Sequence, residues 1–250
     1  LAYFPTFRDA ARLASVALDR LAATLDRQVL PDGVQQELTP HYHFCVTSDL
    51  LTALEALPHL GIAPPPVLRE RLRGIVRRTE LVPSRTLSGD GREVFLKTES
   101  LQHTGSFKLR GAYNRISRLT EDERRAGVVA SSAGNHAQGV ALAAKMFGVK
   151  ATIVMPEGAS LAKIAATREL GAEVILDGAS FDDAFQRALK VREETGATLV
   201  YAFQDPLVVA GQGTVGLELL AQAPELDSVI VPVGGGGLIA GTAIALKQIR

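Results

Sequence analysis

Cysteine is nearly absent: the chain of 250 residues has one, Cys45. A single thiol excludes an internal disulfide framework and points toward a reducing compartment. An excess of either charge is missing too. Lys plus Arg and Asp plus Glu each number 27, so no global field draws the chain to nucleic acid or an anionic membrane. The basic cluster Arg69, Arg71, Arg73, Arg77 and Arg78 is diluted by Glu70 and Glu80. It has no interleaved aromatics and reads as a solvated helix face. An unbroken apolar run of membrane-spanning length is also lacking. The 18 uncharged residues from Val229 to Leu246 are interrupted by Pro232 and four glycines, which leaves a piece too short for a bilayer. The first 28 residues mix Arg8, Arg12, Arg20 and Arg27 with Asp9, Asp19 and Asp26. Transit peptides are poor in acid, so no targeting signal is read. His41, His43 and Cys45 alternate as ligands on one strand face would, but no second cluster completes a four-ligand set. No metal is expected.

What remains is 46% apolar and 22% charged, the balance of a soluble globular protein. The pattern changes at Pro64-Pro65-Pro66, a stiff extended break. Upstream, Phe7 to Leu25 and Ser48 to Leu57 have apolar residues at helical spacing. Residues 1–66 are read as a helical extension of unknown role and 67–250 as a second, larger domain. From Val67 onward strands and helices alternate. Strands are expected at Glu93–Lys97, Gly127–Ser131, Ala151–Met155, Glu173–Leu176, Leu199–Phe203 and Ser228–Val233. Helices are expected from about Ser106, over Asn135–Phe147 and Leu161–Leu170, after Ser180 with Asp183 as a capping box, after Pro206, and from Leu238. Such alternation predicts an α/β fold with open, mostly parallel sheets covered by helices on both faces. Ligands of such sheets sit beyond the carboxyl ends of strands.

Three segments have chemistry written into them. Between the apolar run Val229–Val233 and the helix opening at Leu238 stand Gly234, Gly235, Gly236 and Gly237. The N–H groups of such a loop converge on an anion beside the positive end of a helix. A tight turn needs one or two glycines, so four point to a phosphate. The loop is neither a Walker loop nor GxGxxG. The second segment is Ser106-Phe107-Lys108-Leu109-Arg110. Taken alone, Lys108 has two readings: a solvated charge, which Arg110 beside it fits, or an amine buried by its small and apolar neighbours and thereby made reactive. The third is Ser131-Ser132-Ala133-Gly134-Asn135-His136, between a strand and an Ala-rich helix. Its small residues expose backbone N–H groups suited to a carboxylate, and the Asn135 amide can donate to a phenolate-like oxygen. A plain Asn or Ser helix cap is the competing reading.

Together the segments resemble the serine/threonine dehydratases (threonine ammonia-lyases), of the tryptophan-synthase-β-like, fold type II group of pyridoxal phosphate enzymes. The matching stretches are Ser106–Asn114, Ser132–Val140, Ala210-Gly211-Gln212-Gly213-Thr214 and Val231–Leu238, in the family's order. The resemblance implies a two-lobed catalytic domain over residues 67–250, with the smaller lobe at about 118–205 and pyridoxal 5'-phosphate as cofactor. It implies that Lys108 holds the cofactor and then serves as the base at the substrate Cα. Asn135 would donate to the cofactor's 3-oxygen, and Gly234, Gly235, Gly236, Gly237 and Leu238 would hold its phosphate. Ser132, Ala133, Gly134, Asn135 and His136 would receive the substrate carboxylate. The implied reaction converts L-threonine to 2-oxobutanoate and ammonia, and L-serine to pyruvate and ammonia. It also implies a cytoplasmic protein acting on a small amino acid, a homo-oligomer when full length, with isoleucine synthesis and threonine breakdown both open as its setting.

Two departures accompany the resemblance. The family's domain continues past the helix at Arg250 and there supplies a serine or cysteine for the pyridine nitrogen; the chain reads as truncated within that domain, with no counterpart of this residue. The family's acidic pair in Leu-Lys-x-Glu-Asp-Leu is here Leu96-Lys97-Thr98-Glu99-Ser100-Leu101. Two other functions stay open. Serine racemase shares the scaffold but uses a serine where this chain has Ala133, which has no proton to give. An inactive fragment or interaction module is the other.

Overall fold

The structure, a computed structural model, describes residues 75–89 and 91–249. It opens with a short antiparallel pair, β1 (Leu81–Pro83) and β2 (Phe95–Lys97). Two turns of 3-10 helix, Glu99–Leu101 and His103–Gly105, lead into α1 (Lys108–Ile116). Then follow α2 (Glu121–Ala126), β3 (Val128–Ser131), α3 (Asn135–Phe147), β4 (Ala151–Met155), α4 (Leu161–Glu169), β5 (Glu173–Leu176), α5 (Phe181–Thr195), β6 (Thr198–Leu199), α6 (Pro206–Gln222) and α7 (Gly237–Ile249).

Strands β5, β4, β3 and β6, in that order, form a four-stranded sheet with every pair parallel. Every residue of β3 and β4 is buried, as expected where helices cover both faces. Alternate residues divide between two cores. Val128, Ala130, Ile153 and Met155 pack with Ala137, Val140, Ala141 and Ala144 of α3 and with Leu109, Ala112 and Ile116 of α1. Val129 and Val154 point the other way, against Ala184, Ala188 and Val191 of α5. The α/β class with a helix-covered parallel sheet is therefore as the alternating pattern implied.

Several boundaries differ, each for a physical reason. The predicted strand Ser228–Val233 does not form. Its backbone joins neither sheet, and Ser228, Ile230, Pro232 and Val233 are exposed, Ile230 at 97%. Apolar composition makes a strand only where a ladder partner lies alongside, and none does among the described residues. The predicted strand Leu199–Phe203 contracts to β6 for the same reason, since β3 offers it only Val128 and Val129. The Ser180–Asp183 capping box is present, with Ser180 Oγ accepting from the Asp183 N–H at 3.2 Å. A second box, Thr120 with Glu123, opens α2, a helix the periodicity did not reveal. The predicted helices before Pro64, and most of the basic helix face that begins at Arg69, lie outside the described residues. His41, His43, Cys45, Arg69, Arg71 and Arg73 also lie outside them. Among the described residues no group of three or more His, Cys, Asp or Glu could hold a metal ion. No described helix is long and apolar enough to cross a membrane.

Candidate active site

Lys108 is the first residue of α1, and its side chain is half-buried. Its Nζ donates to the carbonyl of Ala202 at 2.9 Å and lies 5.3 Å from the centre of the Phe107 ring. Burial pushes the amine down from 10.5 to about 8, because a charged ammonium is poorly solvated there. The solvated-charge reading of Lys108 is thus replaced by the desolvated one. Arg110 departs further from that reading. It is 0% exposed.

The loop after β3 lies beside this amine. Ser132 Oγ accepts from the N–H of Gly134 at 3.1 Å, while Asn135 begins α3 and is exposed. Neither Asn135 nor Ser132 caps α3, whose N-cap is Gly134 without a side-chain bond. His136 is a core residue, 3% exposed. Its Nε2 sits 2.9 Å from the Val200 carbonyl. A carbonyl only accepts, so Nε2 carries the proton and Nδ1 keeps its lone pair. Burial, and then the Lys108 charge, push His136 down to about 3, so the ring is neutral. Its Nδ1 and the buried Ser131 Oγ have no protein partner. One turn later, α3 presses on the lysine itself. A Cβ on Gly139 would stand 3.1 Å from the Lys108 carbonyl carbon.

The glycine loop reaches the same place from the other side. Gly234 is exposed, Gly236 and Gly237 are buried, and Gly236 has φ +80°, a conformation that favours glycine. A Cβ on Gly235 would run into the Phe203 ring, and one on Gly237 would meet Phe203 Cα at 3.1 Å, whereas one on Gly234 would meet nothing. Residues 200–203 are therefore the junction of all three segments. Val200 holds His136, Ala202 holds Lys108, and Phe203 lies under the glycines. Only one of the three, the Ser132–His136 loop, follows the carboxyl end of a parallel strand. Lys108 follows 3-10 turns, and the glycines follow an irregular stretch.

Behind Lys108 lies a buried charge network. Arg110 donates to both oxygens of Glu99 at 2.8 Å, to Glu218 at 2.7 Å and to Thr214 Oγ1 at 3.1 Å. Lys97 donates to Glu218 at 2.5 Å, to Gln222 at 2.9 Å and to the Thr79 carbonyl at 2.7 Å. Burial lowers the Arg110 pKa, but the bonds to Glu99 and Glu218 outweigh it and leave the guanidinium above its ordinary value. Lys97 is lowered, with burial outweighing Glu218.

Comparison with known proteins fits this arrangement. Residues 72–250 match the family described as "Pyridoxal-phosphate dependent enzyme". The chain belongs to this family. Residues 2–64 match a different description, "Heparinase II/III N-terminus". An L-threonine ammonia-lyase from Thermotoga maritima is 58% identical over 180 residues, covering 72% of this chain and 45% of that protein. The processed form of threonine deaminase isoform 2 from Solanum lycopersicum superimposes with a TM-score of 0.69 at 40% identity, over 85% of this chain and 57% of that one. Maize serine racemase gives 0.71 at 41% identity, over 74% and 57%. The chain spans about half the length of the curated relatives it matches.

The family's cofactor is pyridoxal phosphate, and the residues present fit it. A desolvated amine can condense with an aldehyde, Gly234 leaves backbone open to an anion, and the buried Nδ1 of His136, whose ring feels the Lys108 charge, is unmet. Sequence reasoning missed the junction at 200–203, which acts largely through carbonyls that every residue carries. It also missed the charge network. A signal for the latter existed in Glu218, a lone acid within the apolar run Val215–Leu220.

Proposed function

We propose that this chain carries the lysine-bearing site of a pyridoxal phosphate-dependent ammonia-lyase, which converts L-threonine to 2-oxobutanoate and ammonia and L-serine to pyruvate and ammonia. The observation that carries the reading is the Lys108 amine, buried, brought to about 8 and held on the Ala202 carbonyl between the two loops. When bound, pyridoxal phosphate supplies an aldehyde for that amine and an electron-poor ring that stabilises negative charge at the substrate Cα. Gly234, Gly235, Gly236, Gly237 and Leu238 would hold its phosphate through backbone N–H groups at the start of α7. Asn135 would donate to its 3-oxygen. Ser132, Ala133, Gly134, Asn135 and His136 would orient the substrate carboxylate. Lys108, brought down to about 8, is better suited to removal of the Cα proton than an ordinary lysine, because a base works best when its pKa lies near the working pH. His136, neutral and tied to Val200, is positioned to orient and not to exchange protons. We assign residues 67–250 to this function, with 118–205 as the smaller lobe, and place the protein in the cytoplasm as a homo-oligomer.

The likeness to serine racemase motivates a second reading, but Ala133 offers no proton on the opposite face. Borohydride reduction of the protein with pyridoxal phosphate, followed by peptide mapping, should place the label on Lys108. A label mainly on Lys97 or Lys163 would sink the assignment. With L-serine, formation of a 2-oxo acid without D-serine supports the lyase; D-serine as the main product would make the chain a racemase.

A further inference from the structure

The network behind Lys108 has a geometry that stability alone does not require. Glu99 and Arg110 bracket the excursion that delivers Lys108. Within it Thr104 and Gly105 both take left-handed backbone, with φ of +64° and +72°, so the chain doubles back sharply between them. The start of α1 is weakly capped. Phe107 gives no side-chain bond, and Ser106 Oγ receives the Lys108 N–H only at 3.4 Å. The first turn is instead held from the side, by Gln212 Oε1 on the Gly111 N–H at 3.2 Å and by the Arg110 guanidinium. That guanidinium is 0% exposed and fully engaged, with Glu99 across the base of the excursion and Glu218 and Thr214 on α6. Residues two apart on a helix point to different sides, so Arg110 pulls on the backbone that carries Lys108 without sharing its pocket.

We propose that Arg110 is a positioning residue for Lys108: clasped to Glu99, Glu218 and Thr214, it fixes the first turn of α1 and so sets the Lys108 amine against the Ala202 carbonyl. The functional weight of this inference rests on Lys108 being the cofactor-bearing lysine. Glu99 is the clasp across the loop. Glu218 is the shared anion that ties Arg110 to Lys97 and hence to β2. Two cations and two carboxylates balance inside the protein, and a guanidinium fork can grip both oxygens of Glu99 while reaching Glu218, a planar geometry that an ammonium does not have.

The test reads the amine without the cofactor. Trace acetylation of the cofactor-free protein from neutral to alkaline pH, with peptide mass spectrometry, gives the midpoint of Lys108 against exposed Lys145 as an internal reference. Its titratable neighbour, His136 on α3, stays neutral over this range, and the acids on α6 and before α1 face Arg110. In the unaltered protein the midpoint is expected at about 8. In Arg110→Lys and Arg110→Gln the loosened turn should admit water to the amine and raise the midpoint. The unprotonated fraction at the original midpoint should fall ~threefold or more. Melting temperature is measured alongside to confirm folding. Should Arg110→Gln not fold, Arg110→Lys and Glu99→Asp decide, since both keep every charge and break the two-pronged contact. An unchanged midpoint in the folded variants would overturn the proposal, as would full recovery in Arg110→Lys, which would leave charge as the whole effect. Because the labelling uses no pyridoxal phosphate, a protein that fails to bind it sinks the proposed function and leaves this result standing.

Discussion

Burying an amine with a pKa of about 8 costs the fold free energy wherever the unfolded chain would hold the proton. Between about 8 and 10.5 the unfolded state binds more protons at Lys108 than the folded state does, so stability rises with pH across that window. Below it the full penalty applies. Lys108→Met should therefore raise the melting temperature of the cofactor-free protein at neutral pH, by the equivalent of on the order of 2–3 kcal/mol, while abolishing attachment of the cofactor. A lower melting temperature would mean that the bond to Ala202 outweighs desolvation. His136 works in the acid range with the same sign. Its folded value of about 3 lies below the ordinary 6.5, so the unfolded chain gains the extra proton as pH falls through that interval, and stability is lost. His136→Gln should flatten the fall in denaturation midpoint between those limits; an equally steep fall would assign the acid sensitivity to carboxylates. The motif singled out Lys108 and left two readings of its amine open, so the sequence did not decide between them. The burial of Lys108, Arg110 and His136 was not legible there, because burial belongs to the neighbours: Gly139, Val200 and Ala202 lie 31 to 94 residues away.

Local signals located most elements well. Helix α3, strand β4 and strand β5 begin and end where the periodicity, Pro156 and the glycines placed them. Elements that depend on distant partners were the ones misread, namely Ser228–Val233 and the end of Leu199–Phe203. Packing between α1, α6 and α7 was equally hidden, although Gly111, Gly211, Gly213, Gly216 and Gly241 stand in plain view. A Cβ on Gly213 would come 2.8 Å from the Gly241 carbonyl, and one on Gly111 would strike Gln212 and the Val208 carbonyl at 2.6 Å. Backbone cannot yield as a side chain can, so Gly111→Ala should cost about 1–3 kcal/mol or more by overpacking. Gly134→Ala, with open space around it and no left-handed backbone, should leave chemical denaturation almost unchanged. Equal losses from the two would contradict this account of the helix contacts.

Over the whole molecule, the class of fold was legible because apolar β-branched runs and helical stretches alternate without exception from β3 to β5. The meeting of three motifs at one short stretch was not, since carbonyl groups carry no mark in sequence. That stretch has a consequence for motion. Strand β6 is two residues long and lies at an edge of the sheet, and the chain that continues from it holds both His136 and Lys108. Short edges open at lower free energy than interior strands. The amides of Thr198 and Val200, bonded to Gly127 and Val129 at 2.9 Å, should exchange with deuterium well before those linking β3 to β4. Each such opening would release the lysine and the histidine together, so the edge of the sheet acts as a shared latch on both side chains.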